Sequence, residues 1–366
     1  MRSPHSKGCS KESHSDKTIL SLIAKCFSIC MNSKRQTRYI TLKLARNWLA
    51  VPKSTRFKRM DKGYASSNWV FSYKGNKYIL KRFTDLKKNE IVKEYRLTDY
   101  IRKVGFPYEV PEMLLSKEGK PFIEFDAAFY SMYRFIPGRA DLPITADYAY
   151  EIGKLAARLH SIFEKPRFQA RQRTGFQSSE RIMSRLDNAY KTASGKEDQE
   201  SRIFVSSYRF FNPLLEKLDL SHYKALKPYP VHMDISPDNL IWRNGKIYAL
   251  IDFANMSTYR DALLMDLAWA IHFCCTVGKD YGSYSKALIA ALLRGYTSLR
   301  PLSKDDLKTL PMLVVITNAS DTEFAYYWHL QKGTEEKAKI ANMAKMSRWI
   351  VENRHYFASC LEDGLQ

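Results

Sequence analysis

The sequence predicts an α+β chain built in two lobes, strands first and helices after. Three observations carry this. Two alternating apolar segments, residues 70–73 and 77–83, flank a Lys74-Gly75-Asn76 turn early in the chain. Segments with apolar residues at helical spacing fill most of the chain after residue 139. Within that helical part lies one short hairpin, residues 240–242 and 247–251, joined by Arg243-Asn244-Gly245-Lys246. Asn-Gly between two apolar runs is a strong hairpin signal.

Composition sets the limits. The chain has 366 residues, 45% hydrophobic and 13% aromatic, enough for the cores of two lobes. Its net charge of +21 creates a field that attracts anions of many kinds, nucleotides and phosphorylated metabolites among them. No RNA-binding signature or zinc-finger spacing accompanies the charge, so nucleic acid is not an expected partner. The six cysteines are sparse and form no C-x2-C pair, and Cys274 and Cys275 lie in an apolar stretch, as buried thiols do. A reducing cytoplasm is the expected compartment. No apolar run approaches the roughly 18 residues of a spanning helix.

Residues 1–50 read as a basic, partly disordered extension. An apolar stretch at 18–31 follows four basic residues, but Lys25 within it argues against a signal peptide. Residues 51–138 form the expected N-terminal lobe. Met60 to Phe71 reads as a turn running into a strand, where Gly63 and the small Ser66 would let backbone N–H groups approach phosphate oxygens. In the strand at 77–83, Ile79, Lys81 and Phe83 share one face, so Lys81 is flanked by apolar side chains and needs an anionic partner. A helix over 87–104 offers Glu90 and Glu94 for that purpose. Gly105-Phe106-Pro107 ends it, and a buried strand follows at 129–136, stopped by Pro137-Gly138. Residues 139–366 form the expected C-terminal lobe. Helices are predicted at 148–163, within 165–199, and at 201–218, 263–277, 283–298, 303–310 and 313–329. Lone His160 follows an apolar helix face, the position of a satisfied core histidine.

The chemistry concentrates in YPVHMDISPDNLIWRNGKIYALIDF, residues 229–253, where His232, Asp234, Asn239 and Asp252 stand in the pattern H-x-D-x4-N followed by I-D-F. Folding of the hairpin brings Asn239, before its first strand, back beside Asp252, after its second. One carboxylate to take a hydroxyl proton, and a second carboxylate with an amide oxygen to hold magnesium, are the groups that phosphoryl transfer requires. Hard oxygen donors suit that ion. Each residue alone also serves as an ordinary turn former around Pro237; the four at this spacing favour the chemistry.

This segment resembles the catalytic loop and metal-binding strand of the aminoglycoside phosphotransferase and choline kinase superfamily, itself similar in fold to the protein kinases. The resemblance covers about residues 55–330. It implies a bilobal protein-kinase-like fold, with a small antiparallel-sheet lobe and a larger, mainly helical one. It implies Asp234 as catalytic base, Asn239 and Asp252 as magnesium ligands, and His232 as a residue that shapes the loop. Lys81 would meet the nucleotide phosphates with Glu94 as its partner. Gly63 and Ser66 would lie over those phosphates, and Met132 to Arg134 would form the hinge that meets adenine. Asp266, in Asp266-Leu267-Ala268, would receive backbone N–H groups of the catalytic loop, with Asp261 the weaker candidate. The later phrases LLRGYTSLRPL and Tyr326-Tyr327-Trp328-His329 resemble bacterial homoserine kinases and spore-coat kinases of the superfamily. The implied activity is transfer of the ATP γ-phosphate, with Mg2+, to a hydroxyl of a small polar molecule. A Ser/Thr protein kinase and a non-catalytic nucleotide-binding scaffold are the alternatives. One departure stands out: the family has a small residue between the His and the Asp, and this chain has Met233.

Overall fold

The computed structural model describes residues 39–60, 66–83, 86–140, 142–174, 179–278, 282–333 and 336–362. The chain divides into two compact units, Met1–Asp85 with Leu114–Phe135 and Leu86–Met113 with Ile136–Gln366. Residues 86–113 group with the helical unit.

In the first unit a short helix, α1 (residues 39–45), precedes β1 (Lys58–Met60), β2 (Ser66–Tyr73) and β3 (Asn76–Phe83). The β2–β3 turn works because Lys74 and Gly75 both take positive φ, 47° and 77°, which matches the twist of the paired strands. Later come β4 (Met113–Leu114), β5 (Ile123–Phe125) and β6 (Ala128–Arg134). The sheet order is β1-β2-β3-β6-β4, with β5 also pairing β6. The pairs β1–β2, β2–β3, β3–β6 and β5–β6 are antiparallel, and β3 meets β6 from Tyr78↔Arg134 to Phe83↔Phe129. One face is dry: Phe71, Tyr78, Leu80, Tyr130 and Met132 pack against Leu44, Ala45 and Trp48 from α1 and the turn after it. The Trp48 indole N–H is satisfied by the carbonyl of Leu114 at 3.0 Å.

The second unit holds α2 (Lys88–Lys103), α3 (Ala146–Phe163), α4 (Ser179–Ser194), α5 (Gln199–Glu216) and α6 (Ser221–Ala225), then β7 (Tyr229–Pro230). The hairpin β8 (Leu240–Arg243) and β9 (Lys246–Leu250) follows, with Asn244 and Gly245 at φ 50° and 73° in its turn. Next are α7 (Ala254–Thr258), β10 (Arg260–Asp261) paired with β7, and α8 (Leu263–Cys274). The pair β11 (Thr276–Val277) and β12 (Ser283–Tyr284) leads to α9 (Lys286–Thr297), α10 (Lys304–Lys332), α11 (Lys337–Glu352) and α12 (Tyr356–Glu362).

Helix α8 is apolar all round and is buried along its length apart from Phe273, as such a helix must be. Its buried polar side chains are paired with other elements. His272 lies 3.1 Å from Asp321 and 2.8 Å from Asn318 of α10, and Cys274 Sγ meets the Ile235 carbonyl at 3.3 Å. Cys274 and Cys275 are free, buried thiols whose pKa burial pushes up.

The two helices expected at 303–310 and 313–329 are one, α10, with Pro311 inside it. A proline removes one helical hydrogen bond. Leu310 and Leu313 on either side are fully buried, and that packing carries the helix through the gap. Its start is a capping box: Ser303 Oγ accepts from the Asp306 amide at 3.0 Å, and Asp306 accepts from the Ser303 amide at 2.8 Å.

Candidate active site

The catalytic loop, residues 231–236, runs from β7 to the one-turn 3₁₀ helix Pro237–Asn239, and its course is set mainly by one carboxylate. Asp266, in the first turn of α8, accepts the amide of His232 at 2.8 Å and that of Met233 at 2.6 Å. Fully buried His160 of α3 lies 3.2 Å from the same carboxylate. Burial works to raise the Asp266 pKa, but the hydrogen bonds it accepts from His160 and the loop amides outweigh it and hold the group below its ordinary value. Asp266 is thus an ionised anchor under the loop. Asp261 does different work. It accepts from its neighbour's amide at Ala262, from Tyr223 and from Arg173, whose guanidinium also donates to the carbonyls of Tyr223, Lys224 and Leu226.

Met233 sits at φ 57°, a left-handed conformation that glycine adopts freely and a side chain does not. This is the physical reason a small residue suits the position. Its side chain is 5% exposed and belongs to the large core of the helical unit, so it fills interior space and leaves the loop mouth clear.

The hairpin does what the spacing predicted. The Ile251 amide donates to the Asn239 carbonyl at 3.0 Å, which places Asn239 beside the residue before Asp252. The Asn239 side-chain N–H donates to the Asp234 carbonyl at 3.0 Å, so its amide oxygen is left to serve as an acceptor or ligand. His232 Nε2 meets the Ile251 carbonyl at 3.1 Å, and its ring packs edge-on against Phe253. Burial keeps this histidine neutral by lowering its pKa. The histidine therefore ties the loop to the end of β9.

Asp234 and Asp252 share this mouth. Asp252 is exposed and left-handed at φ 63°. Asp234 is mostly enclosed, and burial, followed by the charge of Asp252, pushes its pKa up to about 7. A general base is most effective with a pKa near the working pH. An exposed carboxylate with a free amide oxygen beside it is a hard-donor pair that fits a divalent cation such as Mg2+. Loaded there, such an ion supplies charge neutralisation at the phosphates.

The remaining expected residues are placed as follows. Lys81 lies in β3, partly buried, its ammonium 5.2 Å from the Phe83 ring centre on the predicted shared face. Glu94 lies in α2, 1% exposed. Glu90 caps that helix, accepting the Lys87 amide at 2.8 Å. Met132 is fully buried within β6 and Arg134 is exposed at its end, next to the switch between units. Ser66 opens β2. Gly63 lies outside the described residues.

The chain was compared with known proteins. The model of the phosphotransferase enzyme family matches residues 56–302. The homoserine kinase of Brucella anthropi is 26% identical over 261 residues, 71% of this chain and 75% of the relative. Among solved structures, a microcompartment-associated aminopropanol kinase superposes with TM-score 0.62 at 16% identity, over 88% of this chain and 98% of the other. An amicoumacin kinase in complex with AMP-PNP, Ca2+ and its substrate gives TM-score 0.61 at 17% identity, over 86% and 94%.

Proposed function

Because the chain belongs to the phosphotransferase enzyme family, we propose that it is a magnesium-dependent kinase of amino-acid or amino alcohols, with a homoserine-like acceptor as its first candidate. That it is a kinase acting on a small-molecule hydroxyl follows from the family and from its homoserine kinase relatives, and such kinases draw on ATP. The acceptor class rests on the 26% identity to a homoserine kinase across most of both chains, beside the fold likeness to an aminopropanol kinase.

The observation that carries the mechanism is the placement of Asp234. It stands on a loop anchored by Asp266, next to Asp252, with its pKa pushed up to about 7. Asp234 orients the acceptor hydroxyl and receives its proton as the oxygen attacks phosphorus. Asn239 and Asp252 would hold Mg2+ through oxygen donors. Lys81 binds the nucleotide phosphates, with Glu94 as its partner, and Gly63, Ser66 and the Met132–Arg134 segment serve the nucleotide in the roles that the family resemblance implies. The cytoplasm, where ATP is available, is the proposed compartment, and residues 51–138 and 139–366 the working lobes.

The test is Mg2+-dependent ADP release from ATP with L-homoserine, aminopropanol, choline, ethanolamine, sugars and aminoglycosides as acceptors, with Asp234→Ala as control. Removal of a general base lowers turnover by about 10²–10⁴-fold. Turnover with an amino alcohol or homoserine that vanishes in Asp234→Ala supports the reading. Turnover confined to sugars or aminoglycosides overturns the acceptor class, and full activity in Asp234→Ala overturns the base.

A further inference from the structure

The hydrogen bonds that end at the catalytic loop begin at the surface. Glu164, the residue after α3, accepts from Arg300 Nε at 2.9 Å and Nη2 at 2.6 Å. Arg300 Nη1 donates to the Tyr296 phenol oxygen at 2.9 Å. That oxygen lies 2.8 Å from His160 Nδ1, and His160 Nε2 lies 3.2 Å from Asp266. Asp266 holds the amides of His232 and Met233, the two residues before Asp234. Tyr296 is 1% exposed, and His160 and Asp266 are fully buried.

The two ends of this chain fix every proton between them. An ionised carboxylate only accepts and a guanidinium only donates. His160 Nε2 must therefore donate to Asp266. The phenol oxygen accepts from Arg300, so its single O–H goes to His160 Nδ1. His160 thus donates through Nε2 and accepts at Nδ1.

The helices that carry the pair are locked together. A Cβ on Gly153 of α3 would lie 2.0 Å from the Leu292 carbonyl oxygen, and one on Gly295 of α9 would lie 1.9 Å from that of Tyr150. Backbone touches backbone on both sides of the crossing, so the two helices hold a fixed separation.

We propose that Tyr296 and Arg300 are positioning residues for phosphoryl transfer: with Glu164 they hold the His160 ring in one orientation, and through Asp266 they fix the loop that presents Asp234. This rests on Asp234 being the base. The brace acts on the chemical step and leaves substrate binding alone, because its residues lie behind the loop.

The experiment combines kinetics with 15N imidazole NMR of the full chain. Tyr296→Phe keeps the ring and removes the hydroxyl. It should lower kcat about tenfold, the size of one net hydrogen bond passed on to the placement of Asp234, with KM for nucleotide and acceptor unchanged. The His160 Nδ1 signal should shift, because it loses the O–H that it accepts, while Nε2 stays protonated against Asp266. Arg300→Lys, which keeps the charge beside Glu164, should give an intermediate kcat. Leu293→Ala, a buried α9 change outside the chain of bonds, should lower Tm and leave kcat alone. A Tyr296→Phe protein with wild-type kcat and an unchanged His160 Nδ1 signal overturns the brace. So does an equal loss of kcat in Leu293→Ala, which would make the effect plain destabilisation. Asp234→Ala separates the two readings: an active variant sinks the base assignment, whereas an inactive one beside an unaffected Tyr296→Phe sinks only the brace.

Discussion

Replacing Asp234 by Asn should stabilise the metal-free protein while it abolishes turnover. The folded protein pushes this carboxyl from 3.8 up to about 7, first by burial and then by the charge of Asp252. A group whose pKa is raised on folding favours the fold below its unfolded pKa, and that contribution is lost as pH rises through the folded value. At pH 8 the wild-type protein therefore carries a buried charge it would rather not hold. The shift of about three units, at 1.36 kcal/mol each, sets a ceiling of about 4 kcal/mol. The partial opening of Asp234 to solvent brings the expected gain nearer 2 kcal/mol. That corresponds to roughly 4 °C or more in Tm for a unit of this size. The assay is thermal unfolding of wild type and Asp234→Asn at pH 8 and at pH 5, without divalent cation. The gain should be present at pH 8 and shrink toward pH 5, where the wild-type carboxyl is protonated too. Added Mg2+ should narrow the gap at pH 8, because a cation beside Asp252 cancels that part of the repulsion. Equal Tm values at pH 8, or the same gain at both pH values, would refute the account of Asp234 as a destabilised charge.

Three further outcomes follow from the geometry. Met233→Gly removes left-handed strain of about 1–2 kcal/mol but also a buried side chain worth about 2–5 kcal/mol. The variant should melt lower yet keep most of its kcat, and a large loss of kcat in folded protein would show that the side chain serves the reaction. Gly295→Ala places a methyl where the Tyr150 carbonyl stands, so α3 and α9 must part; denaturant unfolding should show a loss of about 1–3 kcal/mol, and an unchanged midpoint would mean that the crossing yields freely. Asp252→Asn should weaken nucleotide binding in the presence of Mg2+ and leave metal-free binding nearly unchanged, as titration calorimetry would show; equal affinities with Mg2+ would remove Asp252 from the metal site.

What the sequence made legible was local. The hairpin of β8 and β9 could be read because Asn244-Gly245 names its own turn, and the turn in turn fixes Asn239 beside Asp252. The strands on either side of Lys74-Gly75 were readable for the same reason. Pro311 misled because a proline speaks only for its own hydrogen bond, while the burial of Leu310 and Leu313 is decided by the whole helical unit. Helix α11 carried a usable signal, with Ile340, Met343, Met346 and Ile350 buried at helical spacing among lysines. His160 was readable as a core histidine, but its partners were not. Tyr296 lies 136 residues along the chain, and nothing local in either segment points to the other.

The two left-handed residues of the site show why its supports sit behind it. Met233 and Asp252 each occupy a conformation that side chains disfavour, at φ 57° and 63°. Such strain persists only where neighbours over-determine it. At Met233 the neighbour is Asp266, which takes the amide of the strained residue itself and of the one before it. At Asp252 it is His232, whose ring meets the carbonyl of the preceding Ile251, while the amide of Ile251 is held by Asn239. The histidine therefore couples the two strained points: its own amide hangs from Asp266 and its ring steadies the peptide that leads into Asp252. His232→Ala should consequently act on Asp252 as much as on the loop. Its expected signature is weaker Mg2+-dependent nucleotide binding together with a lower kcat. A variant that lost only kcat would mean that the ring serves the loop alone, and that Asp252 is held by Asn239 without it.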